Sequence, residues 1–234
     1  MTPKHFVSTL AATELPSVFN PWRDRCAVHD RRDAAAKRRD NLERLLTAAL
    51  DAKVETIWIA RDLGYRGGRR TGVPLTDEVH LDRAGALMGG IALQRATQGP
   101  AVAERTAAIV WRVLEQIGQP VMLWNVFPFH PHEAGDPLSN RCHTRGEREA
   151  TWPLLQALIA MLQPRRIVAI GRDAHLALGD VGIPTTAVRH PSYGGQRDFI
   201  EGMFAMYGID GDALETPRLP LEAPYAAARS CALA

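Results

Sequence analysis

The chain predicts an α/β fold: one three-layer α/β/α domain around a central, mainly parallel, four-stranded sheet. Three observations carry that expectation. Short apolar runs rich in β-branched and aromatic residues alternate with longer segments of helical periodicity. The runs end abruptly in polar loops, and no internal repeat or linker divides them. Finally, 234 residues with 46% hydrophobic and 23% charged content suit one sizeable domain. We expect a core over about residues 35–208, an N-terminal extension over 1–34 and a weakly packed tail over 209–234.

The first 34 residues are mixed, with Pro16 and Pro21 as punctuation and a charged run from Trp22 to Ala34. Residues 35–51 predict an amphipathic helix, because Leu42, Leu45, Leu46, Ala49 and Leu50 recur at helical spacing. Its basic run, Lys37 to Arg39, reads as a solvated face. Val54 to Ala60 (VETIWIA) predicts a buried strand. Thr76, with Asp77 and Glu78 after it, predicts the start of a short helix reaching Leu87. Ala101 to Ile117 predicts a helix that Gly118 and Pro120 end, and Pro120 to Val126 a second strand.

A long Pro-rich loop follows, and a loop of that length inside a compact domain points to function. Glu147 to Leu162 predicts a helix and Arg166 to Gly171 a third strand. A helix from near Asp173, a short strand over Pro184 to Val188 and a helix over Gln196 to Tyr207 complete the pattern.

In open α/β sheets ligands sit outside the carboxyl ends of the strands. Three predicted strand ends carry chemically able groups: Asp62, Asn125 and His190. The loop after Asp62 holds Gly64, Gly67, Gly68 and Gly72 among Arg66, Arg69 and Arg70, a composition suited to a phosphate-bearing ligand. Taken singly, Asp62 also reads as a turn cap, Asn125 as a partner for loop backbone and His190 as a packed loop histidine. A net charge of +2 does not by itself announce nucleic acid. Cys26, Cys142 and Cys231 form no CxxC pair, which argues against a zinc site of ordinary spacing. His130, His132, Glu133 and His143 lack a clear ligand spacing, so no metal is expected. No leader segment and no apolar run of membrane-spanning length are read, and the expected compartment is the cytoplasm.

Three segments together resemble the uracil-DNA glycosylase superfamily. They are ARDLGY with RRTGVPLT, then LWN with VFPFHP and DPLSNR, then HPSYGGQRDF, in that order over about residues 54–207. The resemblance is to a branch without an iron–sulfur cluster, since four cysteine ligands are lacking. It implies a cofactor-independent, monomeric enzyme that hydrolyses the N-glycosidic bond of a uracil nucleotide turned out of DNA. It further implies Asp62 and His190 as catalytic groups, with Asn125 reading the base.

The chain departs from the family pattern at several positions. Gly64 replaces the tyrosine that blocks the thymine methyl group, with Tyr65 one step later. Leu75 aligns with the aromatic residue on which uracil stacks, which shifts that role toward Phe127 or Phe129. The leucine that wedges into the DNA stack falls near Gly194, leaving Tyr193 or Gln196. DNA contact is expected from Arg61, Arg69, Arg70, Ser192, Tyr193, Gly194, Gly195, Gln196 and Arg197. Broader excision of mismatched or deaminated bases, a catalytically silent lesion binder and a small-nucleotide hydrolase remain as alternatives.

Overall fold

A computed structural model describes residues 1–179 and 181–209. The chain runs α1 (Pro3–Ala12), β1 (Val18–Phe19), α2 (Ala34–Asp51), β2 (Thr56–Ala60), α3 (Gly68–Thr71), α4 (Leu81–Leu87) and α5 (Arg105–Ile117). It continues β3 (Met122–Asn125), β4 (His130–Pro131), α6 (Arg145–Leu162), β5 (Arg166–Ile170), α7 (Arg172–Ala177), β6 (Thr185–Val188) and α8 (Gln196–Tyr207). The expected tail lies outside the described residues except for Ile209.

The main sheet has the order β3-β2-β5-β6, and every pairing in it is parallel. Side chains of a strand alternate between faces, so β2 sends Ile57 and Ile59 one way and Trp58 and Ala60 the other. The first pair joins a core with Leu42, Leu46, Trp124, Leu155, Leu158, Ile167 and Ala169. The second joins a separate core with Val110, Leu114, Leu123, Val168, Ile170, Phe199 and Met203. Helices thus cover both faces of the sheet, as the unbroken apolar strands require. A small antiparallel pair, β1 with β4, lies apart from this sheet.

Several element boundaries differ from expectation for local reasons. Helix α4 starts at Leu81, later than expected, because Asp77 receives the backbone N–H groups of Val79 and His80 (3.0 and 3.1 Å) and forms a turn first. Helix α5 starts at Arg105, since Glu104 is extended and its N–H donates to Asp77 Oδ2 (2.6 Å). Helix α6 starts two residues early, at a reciprocal cap between Thr144 and Glu147.

The largest correction concerns the N-terminal 34 residues, which are not an appendage. Phe6, Leu10 and Trp22 are fully buried. Trp22 stacks on Trp124 at 6.2 Å between ring centres, and Phe6 tilts against the same indole at 5.7 Å. The basic run of α2 is not wholly solvated either. Arg38 is buried, bonded to both oxygens of Asp30 (2.5 and 2.9 Å) and to the carbonyl of Arg70 (2.9 Å). A buried guanidinium needs such complete pairing.

Removing the Phe6 ring empties a site walled by an indole. Phe6→Ala is expected to cost about 3 kcal/mol in denaturant unfolding. A loss under about 0.5 kcal/mol, the range of neutral surface changes, would mean that α1 is dispensable to the core.

Candidate functional site

The site begins with the strand register. Ala60 of β2 lies opposite Asn125 of β3, and the ladder continues through Val126 N–H to Ala60 O (2.8 Å) and Phe127 N–H to Arg61 O (3.0 Å). Asp62 and Asn125 therefore leave the sheet side by side. The Asn125 amide Nδ2 donates to the backbone carbonyl of Asp62 (3.1 Å). That bond orients the amide, and its Oδ1 is left buried with no hydrogen-bond partner. Asn125 is 1% exposed, so an unpaired acceptor here is an uncommon and costly feature.

The Asp62 carboxylate is nearly buried and held on both oxygens. Oδ2 accepts from Arg61 Nε (2.7 Å), and Oδ1 bonds His143 Nδ1. Arg61 also reaches Asp173 in the first turn of α7 (2.7 Å), tying the end of β2 to the end of β5.

On the far side, Gly171 N–H donates to Val188 O (2.8 Å), which holds the end of β6 against β5. The next turn carries His190. Gly195 must lack a side chain, because a Cβ there would lie 2.2 Å from the His190 carbonyl oxygen. The backbone N–H of Ser192 donates to His190 Nδ1 (3.1 Å), and the Ser192 hydroxyl lies 2.7 Å from the same nitrogen. Nδ1 is thus an acceptor, and the neutral ring carries its proton on Nε2. Burial first, then the charges of Arg61 and Arg189, lower the His190 pKa to about 4. A Cβ on Gly171 would lie 3.1 Å from the His190 Cβ, so His190 packs against the end of β5, just before Asp173.

Tyr193 follows at the loop tip. It is 79% exposed and holds a left-handed backbone, φ +52°, which non-glycine residues rarely adopt. Gly194 is exposed at φ +79°, and Gln196 and Arg197 open helix α8.

Other expected site residues lie elsewhere. Arg69 and Arg70 do not face a ligand. The short helix α3 turns them inward, where Arg69 is 1% exposed and lies over the Phe19 ring at 3.9 Å. Arg70 binds Glu78 Oε2 (3.1 Å) and Thr97 Oγ1 (3.2 Å). Leu75 is buried in the second core rather than presented as a platform. Phe127 is fully buried, edge-on to Phe129 at 5.7 Å and stacked on His143 at 5.3 Å, so it offers no open face. Arg61 is committed to two carboxylates. Tyr65 is partly buried, with its N–H on Asn140 Oδ1 (3.1 Å).

Gly64 borders an unexpected group. A Cβ there would sit 2.6 Å from Glu104 Oε1, and one at Gly67 would sit 2.1 Å from Oε2. The two glycines make room for that carboxyl, whose pKa burial and Asp77 raise to about 7. Sequence reasoning missed Glu104. It also missed the link from His143 to Asp62, although a threonine–x–x–glutamate cap directly after His143 marks its loop as anchored. The imidazoles of the long loop are otherwise engaged. His130 Nε2 contacts Ser139 O and Asn140 Oδ1, and His132 Nδ1 contacts Glu133 O. Among the described residues no group of three or more His, Cys, Asp or Glu is placed to hold a metal, and no helix is long and apolar enough to cross a membrane.

The model of the uracil DNA glycosylase superfamily matches residues 63–204, more than half of the chain. The crystal structure of wild-type SMUG2 from Pedobacter heparinus is similar in fold. The TM-score is 0.59 at 13% identity, with 89% of this chain and 97% of that chain covered. No curated protein matches the chain in sequence.

The buried imidazoles set a pH dependence of stability. Burial, reinforced by arginine neighbours, lowers His29 to about 4 and His130 to about 3, besides His190. Below pH ~6.5 the unfolded chain therefore binds more protons than the folded one. The contribution of these groups is complete above that pH and is lost as pH falls toward 4 and then 3. Glu104 acts oppositely, its contribution being lost as pH rises from 4.5 through about 7. Three imidazoles against one carboxyl predict a Tm that drops on acidification from pH ~7 to ~4. A Tm that rises over that range would contradict neutral burial of the three rings.

Proposed function

Because this chain belongs to the uracil DNA glycosylase superfamily, we propose that it hydrolyses the N-glycosidic bond of uracil in DNA, releasing the free base and leaving an abasic site. The observation that carries this reading is the Asn125 amide. It is oriented by the Asp62 carbonyl and has a buried acceptor with no partner. Uracil presents an N3–H donor beside the O4 acceptor. Oδ1 receives the first, and the remaining N–H of the amide supplies the second. Cytosine presents the reverse pattern and leaves a buried donor and acceptor unpaired, a costly mismatch.

Cleavage separates charge: the sugar becomes cationic and the departing base anionic. The Asp62 carboxylate stabilises the sugar cation and orients the attacking water, while His190 donates from Nε2 to uracil O2. A neutral histidine does this well, because it stabilises the anion without protonating it first. The ring is held neutral far below pH 7.

The duplex must first release the nucleotide, which costs a few kcal/mol. Tyr193 is our candidate wedge, since it is a large exposed ring on a backbone geometry that its neighbours must maintain. Backbone N–H groups at Gly194 and the start of α8 are suited to a flanking phosphate. The exposed arginines 66, 172, 189 and 197 take the place of the buried Arg69 and Arg70 as phosphate partners. The protein acts as a monomer without a cofactor in this reading, in the cytoplasm.

A second reading, wider excision that includes thymine opposite guanine, hypoxanthine or xanthine, draws on Gly64. The position carries no side chain of its own, and the protonatable Glu104 carboxyl fills the adjoining space.

An excision panel of uracil, thymine, hypoxanthine and xanthine oligonucleotides separates the two readings. We expect uracil release by the unaltered chain and a rate loss of at least ~10²-fold in Asp62→Asn and in His190→Ala, the usual size for a positioned electrostatic group. DNA binding without release of any base would instead favour a silent lesion binder. Activity on free deoxyuridine alone would favour a nucleotide hydrolase. For the wedge, Tyr193→Ala is expected to slow excision from double strands about tenfold or more, one step of ~1.4 kcal/mol, while sparing single strands. Equal loss on both substrates would remove Tyr193 from that role.

A further inference from the structure

We infer that His143 is a positioning residue for the catalytic carboxylate, aiming Asp62 at the reacting sugar. The inference rests on the glycosylase reading given above.

A carboxylate at a strand end can rotate about its last side-chain bond and present any of its lone pairs. Here both oxygens are taken. Arg61 Nε binds Oδ2 at 2.7 Å, and His143 Nδ1 binds Oδ1. An ionised carboxylate only accepts, so Nδ1 of His143 carries the proton in this bond. The two donors approach from different elements, one from the end of β2 and one from the loop after β4. With one partner on each oxygen the carboxylate is held against rotation, and both oxygens keep further acceptor capacity.

The histidine is itself held on its face as well as its edge. Its ring stacks on fully buried Phe127 at 5.3 Å with 29° between planes. The backbone beside it is equally fixed. Thr144 and Glu147 cap helix α6 reciprocally. Arg141 grips the Glu147 carboxylate through two bonds (2.6 and 2.8 Å) and also bonds the carbonyls of His132 (2.8 Å) and Ser17 (3.1 Å). Asn140 Oδ1 receives the Tyr65 N–H of the Asp62 loop (3.1 Å). A segment with this many independent ties places its imidazole by design of the loop rather than by a surface accident.

The arrangement explains three facts with one role. It accounts for a nearly buried histidine on the long loop and for the loss of Phe127 as an open stacking platform. It also accounts for the elaborate anchoring of residues 140–147. A sugar cation is stabilised only by a charge held in place before it forms, and small misplacements are costly. His143 contributes through Asp62 and touches neither base nor sugar.

The test is single-turnover uracil release by five forms of the full chain: unaltered, His143→Ala, His143→Asn, Asp62→Asn, and His143→Ala combined with Asp62→Asn. His143→Ala is expected to lower the maximal rate about tenfold, near 1.4 kcal/mol by the usual conversion, with the DNA concentration for half-maximal rate within about twofold of the original. His143→Asn, whose amide N–H replaces the Nδ1 donor, should recover most of the rate. In the Asp62→Asn background, His143→Ala should add less than about twofold, because there is no carboxylate left to aim.

An undiminished rate in His143→Ala overturns the inference. So does a loss that persists at full size in the Asp62→Asn background, or one that His143→Asn fails to relieve while still melting at the original Tm. If His143→Ala does not fold, the Asn variant alone decides, since a near-original rate supports the donor role and a tenfold loss in a folded chain overturns it. Release of no base by the unaltered chain would overturn the functional reading together with this inference, an outcome distinct from all the others.

Discussion

The constraint on which the site depends is the parallel register of β3, β2, β5 and β6. Ala60 lies opposite Asn125, and Ile170 opposite Val188. Because every strand points the same way, the carboxyl ends line up, and the residues just past them become neighbours despite long separations in sequence. Burial on both faces makes that register hard to shift. A slip of one residue on β2 would exchange Ile57 and Ile59 with Trp58 and Ala60 between two differently shaped cores. The indole of Trp58 is fitted to the α8 side, where its Nε1 donates to the Tyr207 hydroxyl (3.0 Å). The apolar layers therefore determine where the polar residues stand.

Upon that row of strand ends the chain builds opposite electrostatic environments close together. Asp62 sits between Arg61 and His143, each bonded to one of its carboxylate oxygens. At His190, burial and the charges of Arg61 and Arg189 lower the pKa to about 4, which keeps the ring neutral near pH 7. A fixed anion and a neutral donor are what a reaction separating a cationic sugar from an anionic base requires. The same arginine, Arg61, serves both ends, since it holds Asp62 directly and its charge discourages protonation of His190. In the proposed reaction a positive group beside Asp62 would weaken the field directed at the sugar, and the bond from Arg61 to Asp173 shares that charge with a second carboxylate.

Much of the architecture was readable from the chain alone because helices and buried strands leave a periodic record. The apolar spacing of α2 and the continuous runs of β2, β3 and β5 needed no tertiary information, and Gly118 announced the end of α5. The departures have local causes. The Asp77 turn and the extended Glu104 delayed two helices, and the Thr144–Glu147 cap advanced a third. The loop arginines were misjudged for a different reason. Composition reports that Arg69 and Arg70 are charged, yet not that Phe19 and Glu78 wait to receive them.

By itself, then, the sequence determined the layered α/β class and that Asp62, Asn125 and His190 stand at or just past the ends of strands, because each depends on residues near in the chain. Only the tertiary structure decided which arginines face inward, that Phe127 is covered, that Glu104 fills the space beside Gly64 and that His143 meets Asp62. Most of those outcomes join residues distant in the chain, as with Arg70 and Thr97 at 27 positions and His143 and Asp62 at 81. No local pattern encodes such meetings. They arise when two faces of one sheet are buried at once and the loops at its carboxyl edge must share the space that remains.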